Sequence, residues 1–376
     1  MSASSAVADR RLQQIELARR AVLFEGRGAP DALAGLGERD WIERSWRRCL
    51  AWGMRPEQPV AFDLVPAQAA RRALDASHGL LQAARPTLQR LARAIAHSRY
   101  FAILTDAQGV VIGVDGPIDR SDRRAHLITR IGVDLSERAV GTTAIGAALT
   151  ELHPVWLHRG EHFFLDTSVY SCAGAPVFGP DGHCAGMLDL TGIEAPERPE
   201  LKHLAAQSAR AIENALALAV PHALLLRLAW PGCDFSEDTD GLLCLDAEGG
   251  VVSANRAARE MLALPPGALP HCSELFALTW TLLYDVARHE APLEVPLWSG
   301  LRLQVLAMAQ AAARASGPVL LPRPAAVRDV RLPLKDLEVE LIRRAVREAR
   351  GNVAAAARAL GVSRATVYRK LGRKAR

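Results

Sequence analysis

Apolar positions in the first hundred residues recur at three- and four-residue spacing, the period of a helix with one buried face. Residues 10–25 form one such segment. Residues 40–52 form another, with Trp41, Ile42, Trp46, Cys49 and Leu50 along one stripe. Residues 66–98 predict a long helix or a helix pair, with Leu74, Leu80, Leu81, Leu88, Leu91 and Ile95 available for packing. The period then changes. Apolar runs at 100–104 and 110–114 flank Thr105-Asp106-Ala107-Gln108-Gly109, and an Asp-to-Gly turn between such runs predicts a β-hairpin. The same grammar returns at 175–190 around Gly179-Pro180-Asp181-Gly182, and at 241–253 around Asp246-Ala247-Glu248-Gly249. Between the first two hairpins lie a glycine-punctuated helix, 141–149, and a strand, 154–158. Pro199 opens a helix running to 218, at a position where its missing N–H costs nothing. A short helix, 255–262, comes after the third hairpin, and residues 293–306 alternate loosely enough to supply further strands. Helices flanking antiparallel strands imply an α+β fold.

The C-terminal stretch has a different texture. Residues 311–333 are rich in Ala, Pro and Arg and read as a linker. Residues 334–350 form a helix whose face carries Leu337, Leu341, Ile342, Ala345 and Val346. The chain then reads GNVAAAARALGVSRATVYRKLGRK over 351–374. Asn352 is placed to cap a short helix with Val353, Ala356, Ala357 and Leu360 on its apolar face. Gly361 supplies the positive φ of a sharp turn, and Val362 buries beneath it. Ser363 caps a second helix, with Val367 and Leu371 inward and Arg364, Ala365, Thr366, Arg369, Lys370 and Arg373 outward. This is the grammar of a helix-turn-helix, which presents its second helix to the DNA major groove.

Charge distribution strengthens that reading. From Arg331 onward there are 13 Lys/Arg and 4 Asp/Glu, an excess of +9 against +5 for the whole chain, so the remaining residues carry a net −4. A basic module on a mildly acidic body is the electrostatic footprint of nucleic-acid binding. At 376 residues and 49% hydrophobic content the chain has material for two or three domains with their own cores. Few aromatics and abundant Ala and Leu favour helix. The N-terminus has no apolar core of signal-peptide length. The most apolar stretch, 211–230, is interrupted by Glu213, Asn214, Pro221, His222 and Arg227, which argues against a membrane span. Six scattered cysteines without a CxxC pair suggest neither a zinc knuckle nor a disulfide framework, and the expected location is cytoplasmic with reduced thiols.

The middle of the chain resembles a known family. Ser136-Glu137-Arg138-Ala139-Val140-Gly141-Thr142-Thr143-Ala144-Ile145-Gly146 is similar to the sExxxGTNAIG motif of the GAF sensor domains in bacterial activators of acetoin and glycerol catabolism. Gly160-Glu161-His162-Phe163 resembles the family's next motif, GxEHF, without its spacer residue. Ser171-Cys172-Ala173-Gly174-Ala175-Pro176-Val177 resembles CSAAPI, and Gly186-Met187-Leu188-Asp189-Leu190-Thr191-Gly192 resembles GVLDLTG. Ser45-Trp46-Arg47-Arg48-Cys49 is similar to the SWxRC near the N-terminus of these regulators, and the C-terminal turn to their Fis-type DNA-binding domain. Residues 240–262 look like the start of a PAS domain. The resemblance implies an α+β multidomain chain: a helical N-terminal region (1–65), a GAF-like sensor (66–220), a PAS-like segment (221–310), a linker (311–333) and an all-α Fis-type helix-turn-helix (334–376). Two departures stand out. There is no GxxxxGK[ST] phosphate loop and no GAFTGA polymerase-contact motif, so the central sigma-54 ATPase of the family has no counterpart in this sequence. Thr143 stands where the family usually has Asn, and a β-branched Thr reproduces the capping of Asn only in part.

On the second helix of the C-terminal turn, Arg364 and Arg369 are suited to bidentate contact with guanine, while Ser363, Thr366, Lys370, Arg373 and Lys374 suit phosphate contacts. Leu337, Leu341 and Ile342 suit a dimer seam, because in a Fis-type domain this helix contributes to dimerisation, and two recognition helices then stand about one DNA turn apart. His153, His162, Asp166 and Tyr170 lie in the loops the family uses for effectors. His158-Arg159-Gly160-Glu161-His162 fits the zinc-peptidase pattern HxxEH, but that chemistry needs one helical face, and a glycine after a strand predicts a loop at the mouth of the sensor pocket instead. Cys172 and Cys184 fall in the predicted sheet and read as buried structural thiols, since redox sensing requires an exposed thiolate. The expected function is a ligand-responsive transcription regulator, not an enzyme, with no cofactor or metal. Its partners are operator DNA, a small-molecule effector, a second copy of itself and, through shared sites, RNA polymerase or an ATPase-bearing relative. The alternative is an adaptor that forms mixed dimers with such a relative.

Overall fold

The computed structural model describes residues 3–26, 40–236, 239–288 and 291–309, together with Val353 and Ala357. The chain divides into a unit ending at Ala313 and a second unit, Arg314–Arg376. Of the second unit, Val353 and Ala357 are helical and Ala357 is buried. The linker, the 334–350 helix with Leu337, Leu341 and Ile342, and the DNA-contact candidates Ser363, Arg364, Thr366, Arg369, Lys370, Arg373 and Lys374 lie outside the described residues.

The first unit opens on α1 (Ala3–Arg19), which runs into a π-helical turn, Arg20–Phe24. Helix α2 (Asp40–Ala51) buries Trp41, Ile42, Trp46 and Cys49, the stripe its spacing predicts. The 66–98 segment resolves as a pair, α3 (Ala67–Ala76) and α4 (His78–Ala94), broken at Ser77. Next come β1 (Tyr100–Asp106), β2 (Val111–Asp115), α5 (Arg123–Ile128), α6 (Glu137–Val140), α7 (Ala144–Glu151), β3 (Val155–His158), β4 (Tyr170–Phe178), β5 (Cys184–Ile193) and α8 (Leu201–Ala219). The five strands form one antiparallel sheet in the order β2-β1-β5-β4-β3. Its two faces are both covered. Phe101, Ile103, Cys172 and Met187 face the core shared with α2 and α7, while Ala102, Leu104, Leu188 and Leu190 face α4 and α8. Double coverage explains why β4 begins at Tyr170 rather than near the predicted 175. Its residues from Tyr170 to Val177 are all buried, so the polar–apolar alternation that marks a half-exposed strand is missing.

A second antiparallel sheet is built from β6 (Leu224–Ala229), β7 (Gly241–Leu245), β8 (Val251–Ala254), β9 (Leu293–Pro296) and β10 (Arg302–Ala309), with α9 (Arg256–Met261) and α10 (Thr281–Val286). The order is β8-β7-β6-β10-β9, and Leu226, Leu243, Phe276 and Val305 lie in its own core. Both sheets being antiparallel, the α+β class stands. Strand β6 has no counterpart among the expected elements. It comes after α8 across only a short connection containing Pro221 and His222, so helix and strand merge into one apolar run. The two sheets are latched together. The β4–β5 turn accepts from the second sheet at Pro180 O (Ala254 N–H, 3.1 Å) and Asp181 O (Gly267 N–H, 2.7 Å). Arg259 donates to Pro180 O as well, at 2.9 Å, and Asn255 Nδ2 to Asn214 Oδ1 of α8 at 2.7 Å. Among the described residues no helix is long and apolar enough to cross a membrane.

Candidate functional site

The motif residues converge from three directions on one small pocket lined by buried side chains. Its floor is the first sheet, with Ile103 from β1, Cys172 from β4, and Asp189 and Thr191 from β5. Its roof is α7, which presents Ala144 and Ile145, with Val140 of α6 beside it. Phe62 and Tyr170 close one side in an edge-on ring contact, and His162 and Thr167 another. The volume is about 30 Å³. A water needs roughly 10–15 Å³ on this scale, so the space suits a compound of only a few heavy atoms.

Helix α7 is placed by the motif before it. Thr143 Oγ1 accepts from Gly146 N–H at 3.2 Å, so threonine serves as the N-cap of α7. Glu137 is 5% exposed and anchors the motif to α2. It accepts from Arg48 Nε at 2.9 Å and Arg48 Nη2 at 3.0 Å, and from the Ser45 hydroxyl, which also bonds Thr142 Oγ1 at 2.6 Å. Trp46 Nε1 donates to Glu161 O at 2.9 Å. The SWxRC-like segment is therefore a clasp on the GAF-like motifs, and its Ser, Trp and Arg each hold a defined partner. Gly146 is part of the same contact. A Cβ there meets Glu137 Cβ at 2.7 Å and its backbone N at 2.8 Å. Glycine to alanine inside a helix ordinarily gains up to ~1 kcal/mol. Here the sign reverses: Gly146→Ala costs about 1–3 kcal/mol by overpacking, read as a lower midpoint in denaturant titration.

The opposite wall is tied to α1. The Arg19 guanidinium, itself buried, donates to Gly160 O and Phe163 O at 2.9 Å each and to His162 O. Glu161 is held by Arg11 at 3.0 Å and accepts from His158 N–H at 2.7 Å. His158 Nδ1 pairs with Ser171 Oγ at 2.7 Å, and its ring stacks on Trp156. The HxxEH pentad is thus a strand end and one 3-10 turn in which the His158 and Glu161 side chains are committed to separate partners, and His158, Glu161 and His162 are buried. Among the described residues no His/Cys/Asp/Glu cluster has metal-holding geometry.

Of the effector candidates, the structure brings His162 and Tyr170 together in the pocket. His153 and Asp166 do not line it. His153 Nδ1 bonds Pro154 O at 3.1 Å, and Asp166 accepts from Val60 N–H at 3.0 Å near the surface. Burial lowers the His162 pKa to about 4 and raises that of Asp189 to about 7. It also pushes the Cys172 thiol well above its ordinary value, with Cys184 raised too, so both stay protonated. Sequence reasoning passed over Asp189. A signal existed: it is the lone acid in an apolar strand, on the same face as Met187 and Thr191 by the two-residue period. A second cleft of about 320 Å³ lies between α8 and α9, where Arg210, Glu213, Arg256 and Glu260 mix charges.

This architecture places a doubly covered sheet around a small buried pocket upstream of a basic C-terminal segment, the arrangement of a multidomain regulator. Similarity to known proteins agrees. Residues 13–214 match the family model described as "MimR, N-terminal domain", and residues 333–373 match "Bacterial regulatory protein, Fis family". The chain belongs to the family of regulators that carry the MimR N-terminal domain. It is 30% identical over 242 residues to the acetoin catabolism regulatory protein of Cupriavidus necator, covering 62% of this chain and 36% of that one. It is 31% identical over 177 residues to the acetoin dehydrogenase operon transcriptional activator AcoR of Bacillus subtilis, covering 47% and 29%. It is 29% identical over 203 residues to the propane 2-monooxygenase operon transcriptional activator MimR of Mycolicibacterium smegmatis, covering 53% and 32%. The chain spans about a third of the length of these curated relatives, which are transcription regulators rather than enzymes.

Proposed function

We propose that this chain is a ligand-responsive transcription regulator. A GAF-like sensor (66–220) takes a small-molecule effector in the buried pocket, and a Fis-type helix-turn-helix (334–376) binds operator DNA as a homodimer joined through Leu337, Leu341 and Ile342. The observation that carries this reading is convergence. The motifs shared with the family meet around one pocket, and a basic Fis-family segment lies downstream in the same chain. The sheet of residues 224–309 is the PAS-like domain of this scheme, supported by the hairpin before the Asn255-capped α9. Its latch to the β4–β5 turn supplies a physical route by which occupancy of the pocket biases the second sheet. A coupling of about 1–3 kcal/mol suffices for a regulator of this kind. With no phosphate loop in the sequence, the output is DNA occupancy without ATP-driven sigma-54 remodelling.

The test is on the recognition helix. Operator sites mapped by genome-wide immunoprecipitation are titrated with the full chain by fluorescence anisotropy. Arg364→Ala combined with Arg369→Ala removes two guanine contacts of about 1–3 kcal/mol each, so specific affinity falls at least about thirtyfold toward the non-specific level. Unchanged operator affinity in the double variant overturns the proposal.

A further inference from the structure

In the cleft of about 320 Å³ between α8 and α9, not every charge has a partner in the protein. Arg256 of α9 is already engaged. Its Nε donates to Glu260 Oε1 at 2.8 Å, and its guanidinium carbon lies 5.1 Å from the centre of the Phe178 ring. That leaves Arg210 and Glu213 of α8. They stand three residues apart, about one turn along the helix, and both line the cleft, yet no ion pair joins them. Among the described residues no side chain pairs with the Arg210 guanidinium. Glu213 is 3% exposed, an unusual depth for an acid. Its Oε1 accepts from Phe178 N–H at 3.0 Å, and no described residue donates to Oε2. A buried carboxylate is costly unless paired, so an unpartnered oxygen at a cleft wall marks where a donor from outside completes the set. Asn255, on the same wall, is committed to Asn214, to Asp240 O and to two backbone N–H groups. Around the two charges the walls are mostly small and apolar, with Ala175, Pro176, Ala206, Ala209 and Ala257.

We propose that this cleft is a second ligand site, independent of the buried pocket, and that it takes a zwitterion: a free α-amino acid with a small apolar side chain. The carboxylate of the ligand pairs with Arg210, its ammonium with Glu213 Oε2, and its side chain lies on the alanine and proline wall. A guanidinium suits a carboxylate through two parallel hydrogen bonds. The ligand is neutral overall, as is the cleft, where Arg210 and Arg256 balance Glu213 and Glu260. A simple carboxylate gains Arg210 but meets Glu213 as a second anion. A simple amine gains Glu213 but meets Arg210 as a second cation. The ammonium contact needs Glu213 ionised. Burial raises the Glu213 pKa to about 7, against the Phe178 N–H, Arg256 and Arg210, while Glu260 adds to the rise. The other titratable neighbour is the Cys184 thiol of β5, which burial keeps protonated. The anionic form of Glu213 is therefore present above about pH 7 and lost as pH falls through that value.

Three probes separate these cases: L-valine, the same skeleton without the amine (isovalerate) and the same skeleton without the carboxylate (isobutylamine). Each is titrated at millimolar concentration into the full chain by calorimetry or ligand-observed NMR. At ~pH 8 valine binds, and the other two bind at least about tenfold more weakly, each lacking one charged hydrogen bond. From ~pH 8 to ~pH 6 valine affinity falls about tenfold as Glu213 takes up its proton, while isovalerate affinity rises. Free valine keeps both charges throughout this range, so the change reports Glu213. Glu213→Gln keeps the acceptor for Phe178 N–H and removes the charge. In it valine binds about tenfold or more weakly at ~pH 8, and isovalerate binds more tightly than in the parent chain. Arg210→Gln weakens valine and leaves isobutylamine at least as tight. Neither residue lines the buried pocket. The proposal is overturned if either singly charged probe binds as tightly as valine at ~pH 8, if valine does not bind, or if valine affinity rises as pH falls. Those outcomes are read on the parent chain, so a poorly folding variant does not rescue it. Operator affinity has no part in the readout, so this site and the regulatory reading stand or fall separately.

Discussion

Arg48→Met destabilises the first unit by about 3–5 kcal/mol, because it leaves the Glu137 carboxylate buried without its cation. Glu137 is 5% exposed and Arg48 28%, and two charge-assisted hydrogen bonds join them. Methionine keeps much of the packing volume, so the loss is electrostatic rather than a cavity. Unfolding followed by tryptophan fluorescence reads it as a lower denaturant midpoint, or as a fall in Tm of roughly 6–20 °C. A second substitution separates the pair from its surroundings. Arg48→Met with Glu137→Met removes the stranded charge together with its partner, and most of the lost stability returns. A double variant as unstable as Arg48→Met alone would sink the ion-pair account. Arg48 also reaches Glu151 at 3.1 Å, as Arg44 does at 2.6 Å, so Arg44 keeps Glu151 paired in the variant.

How much of this was legible in the sequence depends on how far apart the cooperating residues lie. The hairpins were legible because each turn is self-contained. Asp106 Oδ1 accepts from the N–H groups of Gln108 and Val110, and Asp246 Oδ1 from those of Glu248 and Gly250. Gly109 and Gly249 sit at φ of 89° and 90°, so a five-residue window holds the whole determinant. Helix α2 was legible from its stripe, but not the purpose of Ser45, Trp46 and Arg48, whose partners lie some 90 to 115 positions away. The pocket was half legible. Family motifs led to His162 and Tyr170, which line it, and to His153 and Asp166, which bond elsewhere. Loop position alone does not fix which way a side chain turns. Asp189 was the hardest to see, because its significance lies in the absence of a protein partner at Oδ1, a property of the packed fold.

Gly186→Ala carries the other large effect. It heads the Gly186-Met187-Leu188-Asp189-Leu190-Thr191-Gly192 motif, and its φ lies outside the left-handed region, so backbone freedom is not the reason for glycine here. Close approach is. Gly186 pairs with Asp106 across β1–β5, and a Cβ at this point falls well inside contact distance of Thr105 O, with Leu80 Cδ2 at 2.7 Å. The leucine methyl can turn away, but the carbonyl belongs to the neighbouring strand of the ladder. Relief requires β5 to move from β1, which strains the register that sets Ile103 opposite Asp189 three residues on. The expected cost is about 3 kcal/mol, the upper end for an added methyl in a packed core. Adding Leu80→Ala does not recover it, since the obstructing atom is main chain. Chemical denaturation of Gly186→Ala and of the pair checks both statements, and recovery by Leu80→Ala would place the obstruction in the side chain instead.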